Sequence, residues 1–273
     1  MSTKERAYFA EHVERDVESE RLRNLQLSAD PLTVRRLEAI GVAAGWRCLE
    51  VGAGQGSMAA WMAQRVGADG QVVAADIDLR LLGHLEKLSN VEVRQCDILT
   101  SEIEEDYYDL AHTRFVLMHL SDPQRALERM IEALRPGGWI LVEDPVFYEA
   151  ITLTPNHPAA DSYLRVVNVW RLCAEDAMEL NFGRKILRMV ANLGLVDFEA
   201  ETTQRFHRGG QPGARTLKQS MDIFHDQMLA TGRVGRDDLA IVAAASEDPT
   251  FVGGIPIICG AWARKPEGWH PPK

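Results

Sequence analysis

Residues 48–63 read CLEVGAGQGSMAAWMA, and this stretch decides the fold. An apolar run ends at Glu50, and Gly52, Gly54 and Gly56 follow it before a helical pattern rich in Ala and Met begins. Glycines between a strand and a helix let the backbone turn tightly and lie against a ligand. The N–H groups at the N-terminus of the helix then point at that ligand. The stretch therefore predicts the strand, turn and helix with which doubly wound α/β proteins bind nucleotides.

The same alternation of strand-like and helix-like segments extends along the chain. Strands are predicted in these segments: 46–52, 71–77, 91–97, the start of 108–120, 139–145, 195–204 and 253–266. The first five are spaced by helical patterns, which implies right-handed crossovers between parallel strands. We therefore predict an α/β fold with a doubly wound, mostly parallel seven-stranded sheet.

Helix signals mark several boundaries outside the strands. Residues 4–28 predict one or two helices, and Asp30 with Pro31 predicts the start of a new helix that ends at Gly41. An Asp-Pro pair also opens a helix predicted over 121–138, and a further helix is predicted over 78–88.

The alternation of strand-like and helix-like segments is interrupted twice along the chain. These interruptions predict the domain organisation. We expect an N-terminal helical segment, 1–30, over the ligand site, and one α/β domain, 31–273, with helical insertions near 146–182 and 205–246. Both insertions follow strands at the ligand end of the sheet and carry aromatic and Met side chains. These side chains either bury the sheet edge or cover an apolar pocket.

Composition narrows the class of partner. The chain has 273 residues and a formal net charge of −10, and such an acidic surface repels nucleic acid and anionic membranes. None of its four cysteines stands in a C-x-x-C pair, so no metal site is expected. The N-terminus has no signal-peptide pattern, and no apolar run approaches the roughly 20 residues of a membrane helix. We expect a cytoplasmic protein.

Acidic residues at the ends of the second and third strands are candidate nucleoside ligands. Asp76 lies where a carboxylate can accept hydrogen bonds from both ribose hydroxyls, and we favour it over Asp78, which can instead cap the next helix. Asp97 can accept from an adenine amine while Ile98 packs on the ring, or Asp97 can form an Asx turn.

Five motifs together resemble the class I S-adenosylmethionine-dependent methyltransferases, most closely the small-molecule branch related to the ubiquinone and menaquinone C-methyltransferases. They are LEVGAGQG, VVAADID, CDIL, YDLAHTRFVLMHL and LRPGGWILVED, and the resemblance covers about residues 30–145. It implies S-adenosylmethionine as cofactor. The cofactor-binding residues that it implies are Glu50, Gly52, Gly54, Gly56, Asp76, Ile77, Asp97, Ile98, Thr113 and Arg114, with Tyr8 and Gln26 folding over the cofactor.

The expected activity is methyl transfer by in-line displacement to a small, largely apolar or aromatic metabolite. An NAD-linked oxidoreductase is less favoured, because the G-x-G-x-G spacing lacks the third glycine of the dinucleotide fingerprint and Glu50 would face a pyrophosphate. Nucleic-acid methylation is disfavoured by the segment AHTRF, which replaces the usual base-gripping motif. A non-catalytic protein that binds S-adenosylmethionine is an alternative that the sequence leaves open. The sequence also does not decide between a monomer and a homo-oligomer.

Few residues are candidates for a general base. His119 follows the fourth strand on the cleft side of the sheet and is our candidate catalytic residue, with a packing role as the alternative. His112 lies inside the strand and is expected to be buried, whereas His157, His207 and His225 lie in the insertions, where position alone favours none of them. Transfer by proximity alone, without a base, is the third possibility.

Overall fold

The chain is described by a computed structural model that covers residue 10, residues 12–148 and residues 150–272. In these residues seven strands form one sheet: β1 Arg47–Val51, β2 Gln71–Asp76, β3 Val91–Gln95, β4 Tyr108–Arg114, β5 Leu134–Val146, β6 Val196–Arg208 and β7 Val252–Arg264. Their order is β3-β2-β1-β4-β5-β7-β6, with β7 antiparallel to both neighbours and the other pairs parallel. The predicted doubly wound, mostly parallel seven-stranded sheet is confirmed.

Helices cover both faces of this sheet. They are α1 Arg15–Ile40, α2 Ser57–Val66, α3 Pro123–Ala133, α4 Ala160–Ala174, α5 Phe182–Ala191, α6 Pro212–Asp222, α7 His225–Ala230 and α8 Arg236–Ala245, with 3-10 turns at Gly83–Lys87 and Leu117–His119. Consecutive residues of one strand enter opposite cores, as Cys48 and Leu49 of β1 do. This alternation is the signature of a sheet buried on both sides.

Helix α1 differs from the prediction, because it runs without interruption through Asp30 and Pro31. The Asp30 carboxylate does not cap a helix. It accepts hydrogen bonds from Arg114 Nη2 at 2.7 Å and from Ser57 Oγ at 3.2 Å. Tertiary contacts therefore hold the helix together where local signals predicted a break. Gly41 ends the helix in the left-handed conformation, as predicted.

Two other helix predictions need correction. The helix predicted over 121–138 begins at Pro123, with Asp122 accepting a hydrogen bond from the Arg125 amide, but it ends at Ala133. The segment from Leu134 onward joins β5 instead, because Leu134 pairs with Tyr108 before a register shift. Of the helix predicted over 78–88, only the 3-10 turn Gly83–Lys87 is regular.

The two predicted insertions are helical, and they lie beside the ligand end of the sheet. The first contains α4 and the second contains α6, α7 and α8. Helix α6 packs against α1, which continues across the predicted boundary between 1–30 and 31–273. In the part of the chain that the structure describes, no helix has the length and apolar character to cross a membrane.

Substitution of the proline inside α1 tests whether this helix is continuous in solution. Pro31 is exposed and lacks the N–H that a helix interior uses, so Pro31→Ala should raise the free energy of unfolding by about 1–2 kcal/mol. Chemical denaturation measures the change. Pro271→Ala, in the exposed C-terminal tail, is the matched control and should change nothing. A Pro31→Ala protein that is no more stable than the wild type would contradict the continuous helix.

Candidate active site

A cavity of about 880 Å³ lies at the carboxyl ends of β1, β2 and β4. Strand order reverses at β1, because the chain moves outward to β2 and β3 on one side and to β4 and β5 on the other. In an open α/β sheet this is the position at which ligands bind. The fold thus places the cavity at the point that the sequence predicted.

The β1–α2 turn forms one wall, and its glycines are required by geometry. Gly52, Gly54 and Gly56 have φ values of +73°, +59° and +80°, which disfavour other residues. A Cβ atom at Gly52 would collide with the side chain of Val116, and one at Gly56 would lie 2.6 Å from Leu85 Cδ1. The turn is therefore compressed between neighbouring segments, and its backbone is exposed to the cavity.

Asp76, at the end of β2, fixes this turn. Its Oδ2 accepts a hydrogen bond from the Gly54 amide at 2.7 Å, and its Oδ1 accepts one from the Asp78 amide at 3.0 Å. Burial raises the pKa of Asp76 above its ordinary value, and the two amides oppose this shift. Asp78 instead pairs with Arg80, and the Arg80 hydrogen bond lowers the pKa of Asp78. Both carboxylates border the cavity, beside the exposed side chain of Ile77.

Asp97 and Ile98 line the next part of the wall. Asp97 Oδ1 accepts from the Leu99 amide at 2.9 Å, so the Asx turn anticipated as an alternative is present. Asp97 Oδ2 also accepts from the Thr100 hydroxyl at 2.9 Å. Both Asp97 and the buried Ile98 still border the cavity, which makes the Asx turn compatible with an adenine contact.

The last two residues of β4 differ, because one faces the cavity and the other faces the interior. Arg114 lines the cavity and donates to Thr33 Oγ1 at 2.8 Å and to Asp30 Oδ1 at 2.7 Å. Thr113, in contrast, is fully buried, and its hydroxyl donates to the Val51 carbonyl at 3.0 Å. The structure therefore does not bring Thr113 to the cavity, because side chains alternate along a strand. Gln26 of α1 lines the cavity, and Tyr8 lies outside the described residues.

Glu50 reaches the cavity from the end of β1, and its partner was missed by sequence reasoning. Its Oε2 lies 2.6 Å from His112 Nδ1, and His112 Nε2 lies 3.2 Å from Glu143 Oε2. The sequence predicted that His112 is buried, which is confirmed. Glu143, a glutamate inside the apolar run of β5, was a sequence signal for a buried charged cluster. Only the register of β1, β4 and β5, however, brings Glu50, His112 and Glu143 together.

The rest of the cavity is mainly apolar. Its apolar lining includes Leu22, Leu25, Met118, Phe147, Trp170, Met178, Leu217, Pro256 and Ile258. Of the two alternatives for the aromatic side chains near 146–182, Phe147 and Trp170 show the second, the cover of an apolar pocket, since both line the cavity, and their rings meet edge to face with centroids 5.1 Å apart. Phe224 and Met228 of the second insertion are buried in the core instead.

Polar groups on this apolar wall are few. His119 lines the cavity from the end of the 3-10 turn Leu117–His119. Glu18 and Arg21 of α1 form a buried ion pair there, with Arg21 Nε and Nη2 at 2.8 and 2.6 Å from the carboxylate oxygens. The spacing of three residues on one helix was the signal that could have indicated this pair.

Comparison with known proteins shows which family the chain belongs to. A family model described as a methyltransferase domain matches residues 9–188. The ubiquinone/menaquinone biosynthesis C-methyltransferase of Idiomarina loihiensis is 32% identical over 127 residues, which cover 44% of this chain and 50% of that protein. Its counterpart in Serratia proteamaculans is 34% identical over 134 residues, or 46% and 52% of the two chains. The chain thus spans about half the length of these curated relatives.

A solved structure extends the likeness of the fold. Phosphoethanolamine N-methyltransferase 2 of Haemonchus contortus, solved with phosphomonomethylethanolamine and S-adenosylhomocysteine, is 16% identical. The alignment covers 98% of this chain and 61% of that one, with a TM-score of 0.59. The family model, the fold and the position of the cavity together indicate a class I S-adenosylmethionine-dependent methyltransferase domain. Because the family model covers more than half of the 273 residues, the chain belongs to the methyltransferase domain family, whose cofactor is S-adenosylmethionine.

The residues around the cavity fit that cofactor. The glycine turn leaves bare backbone, Asp76 offers carboxylate acceptors, and Ile98 offers an apolar surface for a purine. Glu50 offers a carboxylate at the cavity wall, which suits a ligand that carries ammonium and sulfonium charges.

Asparagine substitutions distinguish the two candidate ribose ligands. Asp76→Asn should weaken S-adenosylmethionine binding by roughly 10- to 100-fold, because a hydrogen bond to a charged group contributes about 1.5–3 kcal/mol. Asp78→Asn is the matched control two residues away, and its affinity should stay within about threefold of wild type, since Asp78 already pairs with Arg80. Isothermal titration calorimetry measures both. The reverse ranking would assign the ribose to Asp78.

Proposed function

We propose that the protein transfers a methyl group from S-adenosylmethionine to a small, largely apolar or aromatic metabolite. The observation that supports this most is a single cavity with two unlike parts. One part is bordered by the glycine turn and the strand-end carboxylates, and the other by aromatic and aliphatic side chains. A volume of about 880 Å³ falls within the range of small-molecule sites.

In the first part, we assign the cofactor contacts residue by residue. Glu50 accepts from the ammonium group, Gly52, Gly54 and Gly56 pass beneath the methionine portion, and Asp76 accepts from the ribose. Ile77, Asp97 and Ile98 surround the adenine, while Arg114 and Gln26 close the methionine end. These assignments rest on the position of each residue at the cavity wall, except that Gly56 is buried behind the wall and acts by shaping the turn.

We infer the class of acceptor from the side chains that line the second part of the cavity. Phe147, Trp170 and Leu217 present apolar surface, which favours an acceptor with an aromatic or aliphatic body. Helices α1 and α6 pack against each other over this part, which leaves room for a metabolite rather than a polymer. We assign the role of a cover to the N-terminal half of α1, whose side chains line the cavity.

For methyl transfer, the main task of the protein is to position the acceptor next to the cofactor. When bound, S-adenosylmethionine supplies an electrophilic methyl group on a sulfonium. The residues of the second part hold the acceptor in line with that methyl group and exclude water. His119 is placed on the wall of the cavity to take a proton from an oxygen, nitrogen or activated carbon acceptor.

The compartment follows from the cysteines. Cys48, Cys96, Cys173 and Cys259 are free thiols, and three of them are buried. Free thiols are typical of a reducing environment, so we place the protein in the cytoplasm.

The test begins with a metabolite extract and S-adenosylmethionine that carries a labelled methyl group. Mass spectrometry should identify a labelled small, apolar or aromatic product. Labelled nucleic acid or protein, or no labelled product with any extract, would contradict the proposal.

With the acceptor identified, His119→Ala tests the base. We expect turnover to fall by about 100-fold or more, because general acid–base catalysis contributes on the order of 10²- to 10⁴-fold, while cofactor affinity is unchanged. His225→Ala, on α7 outside the cavity lining, is the control. Turnover close to wild type for His119→Ala would leave His119 a packing role.

A further inference from the structure

We propose that His112 is a positioning residue for the cofactor site. It stands as an imidazolium between Glu50 and Glu143, fixes the Glu50 carboxylate at the cavity wall, and joins that carboxylate to helix α1. The inference rests on the proposed function, because Glu50 is the residue assigned to the methionine portion of the cofactor.

The contacts of the ring determine its protonation. His112 Nδ1 lies 2.6 Å from Glu50 Oε2, and Nε2 lies 3.2 Å from Glu143 Oε2. A neutral imidazole has one N–H donor and one lone pair, so one of its nitrogens would face a carboxylate oxygen without a proton. Two carboxylate partners therefore require a proton on each nitrogen. The Cα register explains the first contact, because Glu50 pairs directly with His112 across β1 and β4.

The three side chains lie in the interior, where unpaired charge is expensive. His112 and Glu143 are fully buried, and Glu50 is 4% exposed. Removal of the imidazolium would leave two carboxylates in one buried site, and the loss of one partner of a buried pair is strongly destabilising because the remaining charge is uncompensated. Glu50 would then turn away or take up a proton, and either change removes the acceptor that the cofactor ammonium needs.

Charges on neighbouring elements continue the chain from Glu143. Arg36 of α1 pairs with Glu143 and also donates from Nε to Glu201 Oε1 at 2.7 Å. Thr33 of α1 donates to Glu143 Oε2 at 2.6 Å. A Cβ atom at Gly260 would lie 2.5 Å from Arg36 Cζ, so glycine in β7 leaves the space for the guanidinium. Positive and negative groups thus alternate from the cavity to the surface.

This chain of charges joins the floor of the cavity to its cover. Thr33 and Arg36 stand in the C-terminal half of α1, and the N-terminal half of the same helix lines the cavity. Arg114 adds a parallel link, because it contacts both Thr33 and Asp30. The position of Glu50 and the position of α1 are therefore set by one network.

The charged groups that face the His112 ring together determine its pKa. Burial lowers the pKa of His112, but the charge of Glu50 and the hydrogen bonds that the ring donates to Glu143 and Glu50 outweigh it and raise the pKa from 6.5 to about 9. Burial would raise the pKa of Glu143, but His112, Arg36 and Arg114 lower it to about 2. The contribution of the imidazolium is therefore complete below pH 6.5 and is lost as the pH rises through about 9.

The experiment compares His112→Gln with His270→Gln, an exposed histidine in the C-terminal tail. Calorimetric titration of S-adenosylhomocysteine from pH 6.5 to 10 should show wild-type affinity that falls above about pH 9. His112→Gln should bind at least tenfold more weakly at pH 7, and its affinity should fall with pH only to the extent that the ligand's own amino group loses its proton, while His270→Gln behaves as wild type. A merely structural role would lower thermal stability without moving the pH profile.

The outcomes separate this inference from the proposed function. A folded His112→Gln protein with wild-type affinity and pH profile would overturn the inference alone, whereas a wild type that binds no S-adenosylhomocysteine would overturn the proposed function. If His112→Gln does not fold, ¹⁵N NMR of the histidine-labelled wild type decides. The buried ring should carry protons on both nitrogens at pH 7.5, and a neutral tautomer would overturn the inference.

Discussion

The turn between β1 and α2 must pass between Val116 on one side and Leu85 on the other, and only glycine fits there. This constraint, at Gly52 and Gly56, brings bare backbone to the carboxyl end of the sheet. Asp76 holds the centre of the turn through the Gly54 amide, so the ends of β1 and β2 form one rigid surface. The cavity, the family relationship and the proposed cofactor contacts all depend on this surface.

A second constraint follows from the charges buried behind the turn. Glu50, His112, Glu143 and Arg36 have little exposure to water, and each is compensated by a neighbour of opposite charge. Such a chain is tolerated only when every member is present and well placed. Because Arg36 belongs to α1, the helix that lines the cavity is held by the same interactions that orient the Glu50 carboxylate.

The sequence predicted the parts of the fold that depend on local pattern. The strands, the glycine turn and the end of α1 at Gly41 follow from apolar periodicity and from the conformations that glycine permits. It failed where distant residues compete with local signals. Asp30 and Pro31 read as a helix start, but Arg114, 84 residues away from Asp30, takes the carboxylate that would have capped it.

The site was predicted to a similar extent. Glu50, Asp76, Asp97, Arg114 and Gln26 do border the cavity, whereas Thr113 points into the interior, because a shift of one position along a strand exchanges the two faces. The link from His112 to Glu143 was not predictable, since it depends on the register of strands that are 31 residues apart at this point. A structure of the protein crystallised with S-adenosylhomocysteine tests the central claim most directly. The account predicts the ribose at Asp76, the adenine beside Ile98 and the amino group at Glu50, whereas a ligand bound elsewhere or an empty cavity would contradict it.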